Sequence, residues 1–263
     1  MGHSRSDPAR LTRSAHRFAI APDRIDGARV TFDREETRHL ARVLRLGPGD
    51  VVLATDGRGR EYTVRIDALG AAATGTVLDT APRLTESPVA VTLVQGVPKG
   101  DRMEAIVRAA TELGVARIAP ALTARTVVRL EEGRWRERTR RWQRVAREAA
   151  KQCGRAIVPE VTEPVPLSRA LELAGGVDLR ICLWEAERRP LGEVLQGVAG
   201  APGAVGLAVG PEGGLSVSEV VHAEALGWVL ASLGPRILRV ETASTTALAI
   251  IEATFGDLLR RPG

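Results

Sequence analysis

The spacing of apolar residues divides the chain into two parts with different rhythms. From residue 16 to about residue 80, short apolar runs such as RVTF, VVLAT and EYTVRI alternate with turn signals such as GPGD and DGRG. This alternation is typical of β-strands joined by tight turns. One helix, EETRHLARVLRL, interrupts the strands, and the proline-containing segment APRLTESP, residues 81–88, is predicted to be a linker. The first part is therefore predicted to be a small β-rich domain.

From residue 89 to residue 263, apolar runs of strand length alternate with longer helical patterns. The predicted strands are VAVTLVQG, VARIAPAL, VDLRICLW, AVGLAVG and WVLASLG. The predicted helices include a basic one from about Gly133 to Cys153 and one that opens with a capping box of Ser216 and Glu219. This order predicts an α/β domain with a largely parallel sheet, which binds its ligands at the carboxyl ends of the strands. Residues 1–15 lack the pattern and are expected to be disordered.

Charge is distributed unevenly along the chain. Residues 81–160 carry 16 Arg and Lys against nine Asp and Glu, whereas residues 161–263 carry eight against 12. A concentrated basic region suggests a polyanionic partner such as RNA, and the alternative is a solvated, arginine-rich helix face. The arginines of the basic helix are candidates for phosphate contacts. Trp135 and Trp142, which lie on one face of this helix, are expected to pack in the core or at an interface.

Few residues offer metal or disulfide chemistry. The two cysteines, Cys153 and Cys182, form no CxxC motif, so we expect two buried free thiols and no metal site. His16, His39 and His222 lie on separate elements and are expected to be surface or packing residues. No window approaches the roughly 20 apolar residues of a membrane span, and the N-terminus does not resemble a signal peptide. We therefore expect a cytoplasmic protein with no membrane partner.

The glycine-rich segment GPEGGLSVSE, residues 210–219, follows the predicted strand AVGLAV. It matches neither the GxGxxG of dinucleotide folds nor the GxxxxGK[ST] of phosphate-binding loops. A pyrophosphate would be repelled by Glu212 if its carboxylate pointed at the ligand. The turn suits a ligand without phosphate, and S-adenosylmethionine, with its ribose, amino group and sulfonium, fits. The alternative is an ordinary strand-to-helix turn with an outward glutamate.

Two further strand ends carry candidate loops. One is LWEA, residues 183–186, and the other is LGPRILRVETASTTA, residues 233–247. The second contains Arg239 and Glu241, for which a salt bridge is the alternative role. It also contains the predicted N-cap residues Ser244, Thr245 and Thr246. If the three strands are neighbours, their loops converge on one pocket.

These motifs resemble a known family. GPEGG followed by LGPRILRVETA resembles the two cofactor-binding signatures of SPOUT-class methyltransferases, most closely the RsmE-type 16S ribosomal RNA uracil-N3 methyltransferases. KGDRMEAIVRAATELGV, residues 99–115, and REAAKQCGRAIVPEV, residues 147–161, resemble further blocks of that family. HLARVLRLGPGD, residues 39–50, resembles its N-terminal PUA-like domain. The resemblance spans nearly the whole chain after residue 15, although HRFAI departs from the more aromatic start that the family often has.

The resemblance implies a fold, a reaction and partners. It implies a PUA-like, β-barrel-like RNA-binding domain at 16–80 and a SPOUT domain at 89–263, with a parallel sheet and a trefoil knot, in a homodimer. The reaction would transfer a methyl group from S-adenosylmethionine to N3 of a uridine in 16S ribosomal RNA of the small subunit. The implied cofactor contacts are Leu183, Trp184, Glu185, Gly210, Glu212, Gly213, Leu233, Gly234, Ile237, Leu238 and Arg239. The implied RNA-side residues are Arg17, Arg42, Arg45, Lys99, Arg102, Glu104, Gln152, Arg155, Glu241 and Thr242.

The uracil N3 carries a proton that must leave before the nitrogen attacks well. We therefore predict that Arg155 or Arg239 stabilises charge on the uracil oxygens and that Glu241 orients or deprotonates the base. Neither cysteine is needed, because N3 can attack directly. Two alternatives remain open from the sequence. One is a non-catalytic RNA-binding factor in ribosome assembly. The other is an ordinary Rossmann enzyme, which the missing GxGxxG and Glu212 disfavour.

Overall fold

The computed structural model describes residues 17–82, 86–128 and 131–259. His16 and the segment 1–15, predicted to be disordered, lie outside these ranges. The described residues divide into two compact units, the first comprising 17–82 and 151–157 and the second the remainder. The predicted domain limits, 16–80 and 89–263, stay a prediction. The segment 151–157 makes most of its contacts within the first unit, which the sequence did not indicate.

The first unit is built on a six-stranded sheet. Its strands are β1 (Arg17–Ala19), β2 (Ile25–Asp26), β3 (Arg29–Thr31), β4 (Val51–Thr55), β5 (Arg60–Ala68) and β6 (Thr74–Pro82). Their order is β1-β4-β5-β6-β3-β2, and only the β1–β4 pair is parallel. The predicted helix is present as α1 (Arg34–Arg38), which continues into a π-helical turn, His39–Val43.

Aromatic and aliphatic side chains form the core of the first unit. Phe18 meets Phe32 edge to face with ring centroids 5.8 Å apart, and His39 packs on Phe18 at 5.6 Å. The packing role predicted for His39 is therefore confirmed. The Lys151 ammonium pairs with the buried Glu36 carboxylate at 2.8 Å. This ion pair attaches the segment 151–157 to α1 within the first unit.

The second unit contains an all-parallel sheet. Its strands are β7 (Ala90–Gly96), β8 (Arg117–Leu122), β9 (Glu160–Val161), β10 (Val165–Pro166), β11 (Leu179–Leu183), β12 (Ala204–Val209) and β13 (Val229–Ala231). The order is β10-β8-β7-β12-β11-β13, with β9 also paired to β8. The predicted α/β fold with a parallel sheet is thus confirmed. Because β11 lies between β12 and β13, the carboxyl ends of these three strands are adjacent.

Six helices cover this sheet. They are α2 (Arg102–Glu112), α3 (Glu132–Cys153), α4 (Leu167–Leu173), α5 (Leu191–Gln196), α6 (Val217–Ala225) and α7 (Val240–Thr254). The predicted basic helix is α3, and both of its tryptophans lie in the core with ring centroids 6.4 Å apart. The predicted capping box of α6, Ser216 with Glu219, is present. No helix in the described ranges is long and apolar enough to cross a membrane.

The prediction of two buried thiols is half wrong. Cys182, in the middle of the sheet, is buried, and this burial raises the pKa of its thiol to about 12, with a smaller contribution from Glu219 and other nearby carboxylates. Cys153 is exposed because it is the last residue of α3, beyond the segment of that helix that packs in the core.

Candidate active site

Three loops at the carboxyl ends of neighbouring strands line one cavity of about 630 Å³. They are the β11 loop (residues 184–190), the β12 loop (residues 210–216) and the β13 loop (residues 232–239), and they converge as the sequence predicted. The cavity is lined by Leu183, Trp184, Glu185, Ala186, Glu187, Arg188, Pro190, Val209, Gly210, Pro211, Glu212, Gly213, Gly214, Leu215, Ala231, Ser232, Leu233, Gly234, Pro235, Arg236, Ile237, Leu238, Val240 and Ala243. Its size lies within the range of small-molecule sites.

Glycines let the β12 loop approach its neighbours closely. A Cβ atom on Gly96, at the end of β7, would lie 2.5 Å from Cδ and 2.6 Å from N of Pro211. Gly214 adopts a left-handed conformation with φ of 69°, and a Cβ there would lie 2.5 Å from the Glu185 carboxylate. Only glycine fits these positions without displacing the loop. The backbone of the β12 loop is therefore held against both β7 and the β11 loop.

The Glu212 carboxylate is held by the start of α2. Its Oε1 accepts a hydrogen bond from the backbone N–H of Lys99 at 2.9 Å and pairs with the guanidinium of Arg102. Partial burial raises the pKa of the Glu212 carboxyl, but the hydrogen bonds from its own backbone N–H, from Lys99 and from Arg102 outweigh it and lower the pKa below its ordinary value. Glu212 thus stays ionised at the edge of the cavity, with its charge matched by Arg102.

Arg125, from the segment after β8, connects two of the three loops. Its Nη1 donates a hydrogen bond to the carbonyl oxygen of Gly213 at 2.5 Å and lies 3.9 Å from Oε1 of Glu185. Arg125 therefore fixes the β12 loop. It also places a positive charge beside the Glu185 carboxylate, which belongs to the β11 loop and lies against Gly214. No local motif predicted this role, because 88 residues separate Arg125 from Gly213 along the chain.

A buried polar pair ties the cavity floor to the last helix. Gln95, fully buried in β7, donates from Nε2 to the carbonyl oxygens of Gly96 at 3.0 Å and Gly210 at 3.4 Å. Its Oε1 accepts a hydrogen bond from Oγ of Ser244 in α7 at 2.6 Å. A polar side chain inside the apolar run VAVTLVQG was the available signal for Gln95.

The N-cap prediction for the last helix is wrong. Helix α7 begins at Val240 with Arg239 in the N-cap position, so Ser244, Thr245 and Thr246 all lie inside it. The hydroxyls of the first two form hydrogen bonds within the helix. They donate to the carbonyl oxygens one turn back, Ser244 to Val240 at 3.0 Å and Thr245 to Glu241 at 2.8 Å. Hydroxyl side chains suit both an N-cap and a helix interior. Burial of Val240 in the core favours a helix that begins at Val240, before the hydroxyl residues.

Glu241 lies in the first turn of α7. Its Oε2 is buried and has no hydrogen-bond partner among the described residues, and the nearest charge is Nε of Arg102 at 3.9 Å. Arg102 therefore lies between the carboxylates of Glu212 and Glu241. The salt bridge considered as an alternative role for Glu241 is present only at this long distance, which leaves the carboxylate able to accept a proton or a hydrogen bond.

The other predicted site residues are distributed over both units. All predicted cofactor contacts line the cavity except Arg239, which is exposed. Lys99 and Arg102 are exposed beside Glu212, in the second unit. Glu104, which pairs with Arg141, and Thr242, which is exposed in α7, also belong to the second unit, as does Glu241. The other predicted RNA contacts belong to the first unit. Arg17 pairs with Glu61 at 3.3 Å, Arg42, Arg45 and Gln152 are exposed, and Arg155 is 6% exposed. Among the described residues, no group of His, Cys, Asp or Glu could hold a metal ion.

Comparison with known proteins gives consistent results over most of the chain. Residues 85–252 match the RNA methyltransferase domain family, and residues 32–71 match the RNA methyltransferase PUA domain. Ribosomal RNA small subunit methyltransferase E of Synechocystis is 37% identical over 91% of this chain and 78% of its own.

Two solved structures have a similar fold. A methyltransferase of Legionella pneumophila in complex with SAM has a TM-score of 0.85 and 30% identity over 93% of this chain and 100% of its own. Ribosomal RNA small subunit methyltransferase E of Neisseria gonorrhoeae bound to S-adenosyl methionine has a TM-score of 0.82 and 31% identity, and the match covers 93% of this chain and 99% of that protein's chain. The first unit thus contains a PUA domain and the second an RNA methyltransferase domain, and the chain belongs to the ribosomal RNA small subunit methyltransferase E family of RNA methyltransferases.

Proposed function

We propose that this protein methylates N3 of a uridine in 16S ribosomal RNA, with S-adenosylmethionine as the methyl donor. The observation that carries the proposal is the cavity at the ends of β11, β12 and β13. Its glycine turn carries the carboxylate of Glu212, whereas a phosphate-binding site would have a positively charged group there. The names of the family members, which refer to small-subunit ribosomal RNA, and the SAM bound to the Legionella and Neisseria proteins support it.

The lining of the cavity fits this cofactor. The strand ends supply apolar surface for an adenine ring from Leu183, Val209, Leu215 and Leu233, while Glu185 and Glu212 supply carboxylates. Carboxylates suit the hydroxyl, amino and sulfonium groups of S-adenosylmethionine and would repel a pyrophosphate. When bound, the cofactor supplies a methyl group activated by a positively charged sulfur. These features favour a methyltransferase over a dinucleotide-binding enzyme.

We propose that the predicted contacts divide into three roles. Gly210 and Gly213 offer backbone groups to the ligand. A Cβ on Gly210 would lie 2.9 Å from the carbonyl carbon of Gly214 and one on Gly213 would lie 3.2 Å from Cβ of Arg125, so glycine keeps the turn tight. Glu185 accepts hydrogen bonds from hydroxyl groups, and Arg125 and Gly214 hold its carboxylate in place. The apolar contacts are proposed to be Leu183, Trp184, Leu233, Gly234, Ile237 and Leu238. A cofactor contact for Arg239 stays a prediction, since its side chain lies outside the cavity lining.

The chain's own groups can manage the proton on uracil N3. We propose that Glu241 accepts this proton, because its Oε2 is buried and has no hydrogen-bond partner among the described residues. The guanidinium of Arg102, 3.9 Å from Oε2 of Glu241, would balance negative charge on the base. Arg239, the N-cap residue of α7 two positions before Glu241, is proposed to contact a uracil oxygen. A catalytic role for Arg155, which is buried in the first unit, stays a prediction.

The remaining expectations concern assembly and location. We propose a homodimer that acts on RNA in the small ribosomal subunit, in the cytoplasm, on the basis of the sequence resemblance. Ile237, an apolar residue of the β13 loop that is 91% exposed, is consistent with a surface that a second chain covers. The trefoil knot likewise stays a prediction.

Binding of the cofactor can be tested apart from the reaction. Isothermal titration calorimetry of the full chain with S-adenosylmethionine, and with ATP as a phosphate-bearing control, is expected to give saturable binding of the first and none of the second. Comparable binding of ATP, or no binding of S-adenosylmethionine, would contradict the proposed ligand.

A further inference from the structure

Some arginines of helix α3 form ion pairs, whereas others on its exposed side do not. The buried face of the helix carries Trp135, Trp142, Ala146, Ala149 and Ala150. At 3.6 residues per turn, Arg140, Arg144 and Arg147 lie together on the opposite, solvent-facing side. All three are exposed. We call these three residues the arginine stripe, which extends about 10 Å along the helix axis at 1.5 Å per residue.

Two arginines beside the stripe form ion pairs with carboxylates. Arg136 lies 3.8 Å from Glu132 and 3.7 Å from Glu163. Arg141 pairs with Glu104 of α2 at 2.8 Å and lies 3.9 Å from Asp101. By contrast, no carboxylate of the described ranges lies within ion-pair distance of the stripe. The stripe is therefore a line of positive charge that has no ion-pair partner among the described residues.

This arrangement opposes the stability of the helix. Arg140 and Arg144 are four residues apart, and Arg144 and Arg147 are three apart, so their like charges repel along one face. The exposed carboxylates of Glu137 and Glu148 lie at one edge of this face but are not within ion-pair distance of the stripe. Burial of the tryptophan face keeps the helix formed despite this repulsion. A repulsive line of charge that the fold tolerates without internal partners is well suited to an external polyanion.

The chemistry of the stripe favours a phosphate backbone over other anions. Arginine matches phosphate geometry with two parallel N–H donors, whereas lysine acts as a point charge. The single lysine of α3, Lys151, is already paired with Glu36. Both tryptophans of the helix are buried, so the outer face carries no aromatic ring on which a base could stack. Contacts from this face would therefore position an RNA without selecting its sequence.

The stripe lies on the same unit as the cavity, and α2 links the two. Glu104 of α2 pairs with Arg141 at one edge of the stripe, and Arg102, two residues earlier, pairs with Glu212 of the β12 loop. We propose that Arg140, Arg144 and Arg147 bind the phosphate backbone of the RNA substrate and hold it while its target base reaches the edge of the cavity. This proposal rests on the proposed function, since it assumes an RNA substrate for the same site.

The test compares two variants of one helix that lose the same number of charges. Arg140→Gln/Arg144→Gln removes unpaired arginines, and Arg136→Gln/Arg141→Gln removes paired ones. Binding of unmodified 16S ribosomal RNA transcribed in vitro is measured over a series of KCl concentrations. Each lost phosphate contact lowers the slope of log K against log salt by about 0.7 to 0.9. In the stripe variant, the slope of log K against log salt is expected to be about 1.5 smaller in magnitude, and the affinity about tenfold lower. The control variant is expected to have the wild-type slope.

Methylation kinetics separate this proposal from the function on which it rests. The stripe variant is expected to raise KM for RNA about tenfold, with kcat, the affinity for S-adenosylmethionine and the circular dichroism spectrum unchanged. Equal slopes and KM values in the stripe variant and the wild type would overturn the stripe while leaving the function intact. A wild type that fails to methylate would overturn the function, and the salt slopes would then still decide whether the stripe binds RNA.

Discussion

Arg125 donates a hydrogen bond from Nη1 to the carbonyl oxygen of Gly213 over 2.5 Å. This contact joins the segment after β8 to the β12 loop, and the same guanidinium lies 3.9 Å from Glu185 in the β11 loop. One exposed side chain thus positions two walls of the proposed cofactor cavity. A residue in this position affects ligand affinity through the loops it holds, without a ligand contact of its own.

Arg125→Ala is therefore expected to weaken S-adenosylmethionine binding by about tenfold, which corresponds to about 1.4 kcal/mol. The physical reason is that the Gly213 carbonyl and the Glu185 carboxylate lose the donor that orients them. Calorimetry measures the affinity, and Arg169→Ala, which removes an exposed arginine paired with Glu172 on α4, is the control. An affinity equal to that of the wild type would show that the β12 loop keeps its position without Arg125.

Replacement of Gly96 tests the close packing beneath the β12 loop. A Cβ at this position would lie 2.5 Å from Cδ of Pro211, so Gly96→Ala must displace the loop. We expect a loss of about 1–3 kcal/mol in the free energy of unfolding and weaker cofactor binding. Chemical denaturation and calorimetry measure the two effects. In the control, Gly192→Ala, the added Cβ meets nothing within 4 Å, and unchanged or higher stability is expected.

If Gly96→Ala instead matched the wild type in both measurements, the contact between β7 and Pro211 would not constrain the loop.

The ion pair of Glu212 predicts a particular dependence of stability on pH. Although burial alone would raise the pKa of Glu212, its hydrogen bonds lower it below the value in the unfolded chain. The stabilisation from Glu212 is therefore complete above an unfolded pKa of about 4.3 and is lost as pH falls through the folded pKa. The melting temperature of Glu212→Gln is expected to lie below that of the wild type at pH 7, and the difference is expected to shrink below about pH 4.

Glu112→Gln, which changes an exposed glutamate near the end of α2, controls for removal of one negative charge. A difference between Glu212→Gln and the wild type that stayed constant from pH 7 to acid would contradict the role of the carboxylate.

The proposed proton acceptor is tested by Glu241→Gln. The amide keeps the shape of the side chain but accepts a proton far less readily, so we expect kcat to fall by about 10²-fold or more. Affinity for S-adenosylmethionine is expected to stay unchanged, because Glu241 does not line the cavity. Single-turnover methylation of ribosomal RNA gives the rate, and Glu224→Gln, on the exposed face of α6, is the control. Full activity of Glu241→Gln would exclude Glu241 as the base.

Much of the site was predictable from the sequence because its motifs are local. The GPEGG turn, the capping box at Ser216 and the segment from the β13 loop to Glu241 all follow strands that the apolar pattern identifies. The parallel sheet then brings such loops to one edge. The position of the Glu212 carboxylate was not predictable, because it depends on β12 pairing with β7, which brings Lys99 and Arg102 beside it.

Contacts between distant segments were also missed. Arg125 lies in a segment with no recognisable motif, and its role arises only because the segment after β8 contacts the β12 loop. The start of α7 was misplaced because Ser244 and Thr245 are hydroxyl residues that suit either an N-cap or a helix interior. Burial of Val240 decides between these two, and burial depends on the tertiary fold. The sequence therefore predicted which chemical groups the site contains, whereas the partners of those groups could be identified only from the structure.

The most direct test of the central claim is the methylation state of 16S ribosomal RNA in the organism itself. Mass-spectrometric mapping would compare a deletion strain, the same strain complemented with the wild-type gene, and the strain complemented with Glu241→Gln. The proposed function predicts that one N3-methyluridine is absent in the deletion strain, restored by the wild type and not restored by Glu241→Gln. An unchanged N3-methyluridine content in the deletion strain would contradict the proposed function.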